Sequence, residues 1–82
     1  MSYPNPTSGM MTFNYSLAEQ SNASIHIYNM TGDLVRTLLD AKTQEAGVYQ
    51  VLFDASDQVS GMYIAILEVD GMNVQQQLLV VE

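Results

Sequence analysis

The chain of 82 residues contains no cysteine and no tryptophan, and it has only two basic residues. Without cysteine, neither a disulfide bond nor a thiolate metal site can form. Nine acidic residues stand against the two basic ones and give a formal net charge of −7. Nucleic-acid binding requires a basic stripe on the protein surface, and Arg36 and Lys42 alone cannot make one. We therefore expect no nucleic acid among the partners.

Long hydrophobic runs are also missing. The longest, Met62 to Leu67, has six residues, whereas a membrane-spanning helix needs about 20. The chain does not open with a basic segment followed by an apolar one, so we expect no signal peptide; if the protein is exported, this sequence is a mature form or a piece of a longer chain. A chain this short makes one domain that buries about 60–65% of its unfolded surface and has no deep cleft between lobes. These features argue against membrane insertion and against an enzyme.

Proline occurs only near the start, at Pro4 and Pro6. Each proline fixes its own φ and pushes the preceding residue into an extended conformation. Residues 1–9 are therefore predicted to form a proline-containing linker, and residues 10–82 a single domain. Within that domain, four glycines separate segments of 10 to 15 residues, which is the spacing typical of a small all-β domain.

Between these glycines, apolar and polar residues alternate with a period of two, which indicates strands. The predicted strands are 12–17, 22–29, 34–39, 48–54, 62–69 and 72–81, the last two joined by an Asp70-Gly71 hairpin turn. A helical reading of residues 34–39 gives only about two turns, which is marginal in isolation. We predict an all-β fold, an Ig-like or fibronectin-III-like antiparallel β-sandwich of six or seven strands. Its core is predicted to contain Phe13, Tyr15, Ile25, Ile27, Val51, Phe53, Ala65 and Leu67.

The candidates for chemistry are few. His26 is the only histidine, and the alternation places it on the outer face of a strand without a nucleophile and acid arranged around it. Asp54 and Asp57 offer two carboxylates where calcium needs six to eight oxygens, so turn chemistry is the better interpretation. Tyr3 and Tyr28 are the only aromatic side chains not assigned to the core, which is few for a surface that stacks sugar rings. We predict no catalytic, cofactor-binding or metal-binding residue.

The order of short motifs along the chain is more specific than any one of them. It runs Tyr3-Pro-Asn-Pro6 with Gly9, Tyr15-Ser-Leu17, Ile25-His-Ile-Tyr-Asn29, Leu34-Val-Arg-Thr-Leu38, Ala46-Gly-Val-Tyr49, Phe53-Asp-Ala-Ser56, Ser60-Gly-Met-Tyr63 and Leu78-Leu-Val-Val81. This pattern resembles the C-terminal sorting domain, type A, of the type IX secretion system. It is similar also to the Ig-like domain of the flagellar hook-capping protein. The resemblance covers residues 3–82, and the proline-containing opening with the terminal apolar strand favours the sorting domain.

The resemblance implies a non-catalytic domain at the C-terminus of a larger exported protein. Such a domain is read by an outer-membrane translocon and is commonly cleaved when the cargo is attached to the cell surface or released. The N-terminal cargo would be a glycoside hydrolase, a protease or an adhesin, exported through the periplasm of a Gram-negative bacterium to the medium or the cell surface. The alternative is an Ig-like spacer or docking module beside a catalytic domain, with a carbohydrate-binding module less favoured.

The closing hairpin, Tyr63 to Glu82, departs from the family pattern. The family often carries Lys or Arg in the last strand, where this chain has Gln75-Gln76-Gln77. Met62 to Val69 and Leu78 to Val81 are apolar on both faces, which is more than one interior requires and leaves an apolar strip for a partner. An apolar edge strand also suits strand addition by a receptor. We therefore predict that the translocon reads the folded hairpin, through Tyr63, Leu78, Leu79, Val80 and Val81.

Overall fold

The computed structural model describes residues 9–81, which form six strands and no helix. The predicted all-β fold is therefore confirmed, and the described residues contain no helix that could span a membrane. The linker predicted for residues 1–9 lies outside the described residues except for Gly9. The strands are β1 (Met10–Leu17), β2 (Ser21–Asn29), β3 (Leu34–Gln44), β4 (Gly47–Asp54), β5 (Gly61–Val69) and β6 (Met72–Val81).

The strands form two antiparallel sheets that pack against each other as a β-sandwich. One sheet has two strands in the order β1-β4, and the other has four in the order β3-β2-β5-β6. In the four-stranded sheet β5 lies between β2 and β6, as predicted from its apolar residues on both faces. The closing strand β6 is an edge strand.

The core lies between the two sheets and follows the predicted alternation. Seven of the eight predicted core side chains are buried, from Ile25 and Ile27 at 0% exposure to Tyr15 at 4%. Val51 is only half-buried, although it packs against the core. The inward side chains of β4 are buried at Phe53 but only partly buried at Val51 and Tyr49, so the opposite sheet covers the end of β4 more completely than its middle.

Strand β3 differs most from its prediction. It is a strand and not a helix, but it continues five residues beyond the predicted end, to Gln44. Its pairing with β2 is interrupted by register shifts, and Ala41 has a φ of 48°. The Ala41 N–H donates to Ser24 Oγ at 2.8 Å instead of to a strand backbone. Such irregularities shift side chains out of the two-residue alternation, which is why the alternation in the sequence predicts a strand that ends at residue 39.

Polar side chains connect the two sheets along both sides of the sandwich. On one side, Arg36 on β3 donates to the carbonyl oxygen of Asp54 at 3.3 Å, and its guanidinium carbon lies 5.4 Å from the centre of the Phe53 ring. On the other side, Gln75 Nε2 on β6 donates to the Asn14 carbonyl of β1 at 3.0 Å. Because β1 has only β4 as a strand neighbour within residues 9–81, this bond supplies a donor that no further described strand provides.

Both ends of the described chain lie at the same end of the sandwich. Met10 at the start of β1 pairs with Asp54, and Ala55 N donates to the Gly9 carbonyl at 2.8 Å. Val81 at the end of β6 pairs with Gly61. The Arg36 contacts to Asp54 and to the loop after it bring the start of β3 to this end as well.

Candidate interaction surface of the four-stranded sheet

The closing hairpin is held in a defined register by its turn. Asp70 and Gly71 have φ values of 53° and 85°, as the predicted two-residue turn requires. Asp70 is also tied to the neighbouring strand, because its N–H donates to the Asn22 carbonyl at 2.8 Å and its Oδ1 accepts from the Asn22 N–H at 3.0 Å. The hairpin therefore presents a fixed pattern of inward and outward side chains.

The five side chains predicted to contact a partner lie on opposite faces of this hairpin. Tyr63, Leu79 and Val81 are buried in the core at 4%, 3% and 8% exposure. The Tyr63 hydroxyl donates to the Val59 carbonyl at 2.7 Å. Leu78 is 42% exposed and Val80 is partly exposed. In the folded domain, only Leu78 and Val80 of the five present their side chains to a partner.

The outward side chains of the hairpin continue across the whole sheet. The register pairs Leu34 with Tyr28, Tyr28 with Ile64, and Ile64 with Leu78. These four side chains, here called the outer row, stand on successive strands from β3 to β6. Residues paired in this way have Cβ atoms about 5 Å apart, so the outer row is a continuous apolar band across the sheet.

Two further rows flank the outer row on the same face. Met62 pairs with Val80 on one side, and Met62 is 49% exposed. On the other side the register aligns Thr37, His26, Ile66 and Gln76. None of these three rows contains Asp, Glu, Lys or Arg. The rows together are here called the outer face.

Acidic groups lie in the turns at the end of the sandwich where β2 and β4 end. Asp33 closes the turn after β2, where its N–H donates to Asn29 Oδ1 at 3.0 Å. Asp57 pairs with Arg36 at 3.3 Å in a salt bridge whose carboxylate side chain is exposed and whose Arg36 side chain is half-buried. The Ser56 N–H donates to Asp54 Oδ1 at 3.0 Å, and the hydrogen bonds from Ser56 lower the pKa of Asp54.

The three side chains that are candidates for catalysis or metal binding have structural hydrogen-bond or ion-pair partners. They are His26, Asp54 and Asp57. His26 lies on the outer face, as predicted, with Nδ1 3.1 Å from Thr37 Oγ1. Asp54 and Asp57 serve the loop after β4, as the turn interpretation predicted. Within residues 9–81, no group of three or more His, Asp or Glu side chains comes together in a way that could hold a metal ion.

Sequence reasoning missed two features of this surface. Leu34 and Tyr28 were not connected with the hairpin, because only the strand order β3-β2-β5-β6 brings them into one row with Leu78. Gln75 was interpreted as a missing positive charge, whereas it is a donor to the carbonyl of Asn14. No local signal identifies that role, since the contact joins residues 61 positions apart.

The fold and the outer face define a β-sandwich whose prominent feature is an apolar surface suited to contact with another protein. The model of the family described as "Secretion system C-terminal sorting domain" matches residues 1–82. The chain belongs to this family, the sorting domains of type IX secretion, which are non-catalytic signal domains for export. Neither the comparison with curated proteins nor that with solved structures found a match.

Proposed function

We propose that this domain is the C-terminal export signal of a larger protein and that an outer-membrane type IX translocon reads it in its folded form. The cargo precedes the domain in the same chain and carries the chemistry, as a glycoside hydrolase, a protease or an adhesin. Export passes through the periplasm of a Gram-negative bacterium to the cell surface or the medium, and the domain is cleaved when the cargo is attached. The family membership of the whole chain carries this proposal.

The translocon contact is assigned to the outward side of the closing hairpin. Leu78 and Val80 are available there, while Tyr63, Leu79 and Val81 hold the hairpin in the core. The edge of β6 adds a place where a receptor strand can pair. Because the described residues of β6 include no Lys or Arg, a signal based on positive charge is not favoured.

The spacer alternative fits the geometry less well. A spacer that holds two domains apart in series is served best by chain ends on opposite sides. Here Gly9 and Val81 both lie at the end of the sandwich where Met10 pairs with Asp54. Partners attached at both of these positions would lie on the same side of the sandwich.

The first test is a reporter fused to residues 1–82 and expressed in a host that has the type IX machinery. We expect surface or medium delivery that requires both the domain and the translocon. An isogenic strain without the translocon and a reporter without the domain are the controls. Retention of the folded fusion in the periplasm of the competent host would contradict the proposed function.

The second test addresses the hairpin. Deleting residues 78–82 is a poor probe, because it removes the buried Leu79 and Val81 and we expect the loss of these core side chains to destabilise the domain. The double variant Leu78→Ser, Val80→Thr changes only outward side chains, and we expect reduced delivery at near-normal stability. Leu52→Ser, at a position of comparable exposure on β4 of the other sheet, is the matched control and is expected to change delivery little.

A further inference from the structure

The apolar surface of this domain is wider than the closing hairpin. Leu34 on β3 is 56% exposed, more than Leu78 at 42%, and lies in the same row through Tyr28 and Ile64. A translocon contact restricted to the closing hairpin does not explain why outward side chains on β2 and β3 are also apolar. The outer row therefore calls for a partner that contacts all four strands.

The size of the outer face discriminates between possible occupants. Strands about 4.8 Å apart and rows about 6.8 Å apart, two rows spanning four strands and one spanning two, cover about 330 Å². A stable protein dimer buries about 800 Å² on each partner, so a second copy of this chain would cover too little. An apolar patch of about 300–600 Å² is often functional on a monomer. The outer face thus fits a small, transient contact.

Charge further restricts the occupant. Two copies of the chain, each with a net charge of −7, repel one another. The outer face carries no Asp, Glu, Lys or Arg in its three rows, while Asp33 lies in the turn at one end and Glu68, paired with Ser24, lies in the next row at the other end. Arg36 is already engaged by Asp57 and by the Asp54 carbonyl. A complementary partner has an uncharged apolar stripe with basic residues beside it.

We propose that the outer face docks an amphipathic helix of a partner protein, with its apolar stripe across Leu34, Tyr28, Ile64 and Leu78 and with Lys or Arg flanking the stripe. A helix of about 14 residues is about 21 Å long, which matches the width of four strands. This inference rests on the proposed function, because it places the helix in the export machinery. The basic flanks steer the acidic domain to the helix, and the apolar stripe holds it there.

The binding test uses the full 82-residue chain and two synthetic peptides of about 14 residues, stapled to stay helical. Both carry the same leucine stripe, and one has Lys flanks where the other has Glu. We expect the Lys-flanked peptide to shift the amide NMR signals of Tyr28, Ile64 and Leu78, and to bind about tenfold more weakly at 500 mM than at 50 mM salt. The Glu-flanked peptide should bind at least about tenfold more weakly than the Lys-flanked one.

A matched pair of variants locates the contact. Leu34 and Leu52 are the same residue type with nearly equal exposure, 56% and 55%, but Leu52 lies on β4 of the other sheet. We expect Leu34→Ser to weaken binding of the Lys-flanked peptide about fivefold and Leu52→Ser to leave it unchanged. Equal effects of the two variants, equal binding of the two peptides, or shifts spread beyond the outer face would overturn the proposal. So would comparable shifts of the same amides with neutral lipid vesicles, which would assign the surface to a membrane.

Export of the same two variants as reporter fusions separates this inference from the proposed function. Reduced delivery with Leu34→Ser and normal delivery with Leu52→Ser support both. Normal delivery with both variants, while the unmodified fusion still requires the translocon, leaves the proposed function intact and overturns the docking proposal. If the unmodified fusion is not delivered, the proposed function fails, whatever the peptides show.

Discussion

Replacing Phe53 with alanine tests how the sandwich is held together. The Phe53 ring is 1% exposed and belongs to the core between the sheets. Removing a buried phenylalanine side chain costs about 3–5 kcal/mol of unfolding free energy. The lost contact with the Arg36 guanidinium, 5.4 Å from the ring centre, adds about 0.5 kcal/mol. An 82-residue domain has about 4–12 kcal/mol in total, so Phe53→Ala should unfold a large part of the population.

Urea titration followed by circular dichroism measures this loss. With a slope of about 1 kcal/mol per molar urea for a domain of this size, the midpoint should fall by about 3 M or more. If Phe53→Ala is unfolded in buffer, Phe53→Leu should give a smaller but measurable loss. Leu52→Ala, on the same strand but 55% exposed, is the control and should change stability by less than about 0.5 kcal/mol. A loss below about 1 kcal/mol for Phe53→Ala would refute the assigned core.

Three further changes probe the contacts that position the surface. Gln75→Ala should cost about 1 kcal/mol and speed amide exchange in β1, because the Asn14 carbonyl loses its donor, whereas Gln76→Ala should do neither; equal effects would contradict the bridging role. Asp54→Ala should lower the melting temperature at neutral pH but not in strong acid. The pKa of Asp54 is lowered from its ordinary value of 3.8, so the ionised side chain stabilises the fold fully at pH values above 3.8, and this contribution is lost as the pH falls through the lowered pKa. A difference in melting temperature that does not depend on pH would contradict this. Ala41→Gly should raise the melting temperature slightly, because a φ of 48° is strained for alanine; a lower melting temperature would contradict the strain.

The sequence predicted the fold wherever a strand keeps its period of two. Phe13, Tyr15, Ile25 and Ile27 alternate strictly with polar residues, and all four are buried as expected. Strand β3 was predicted too short because its bulge at Ala41 breaks the period and its last residues are polar. Local pattern cannot show how much of a strand the opposite sheet covers, which is why the half-burial of Val51 was missed.

The candidate surface was predicted only in part. The excess of apolar residues on the closing hairpin was visible in the sequence, and Leu78 and Val80 do lie outward. Its extension to Tyr28 and Leu34 depends on strand order, which is set by long-range pairing and not by local pattern. The same holds for Gln75, whose role exists only because the edge of β1 lies beside β6.

Photo-cross-linking during export tests the central claim, that the translocon reads the outward side of the folded hairpin. A photoreactive amino acid is placed at Leu78 or, as the control, at Leu52, in a reporter fusion expressed with epitope-tagged translocon subunits. Leu78 and Leu52 are 42% and 55% exposed but lie on different sheets. We predict an adduct with a tagged translocon subunit from position 78 and none from position 52. Equal adducts from both positions, or efficient export without an adduct from position 78, would contradict the account.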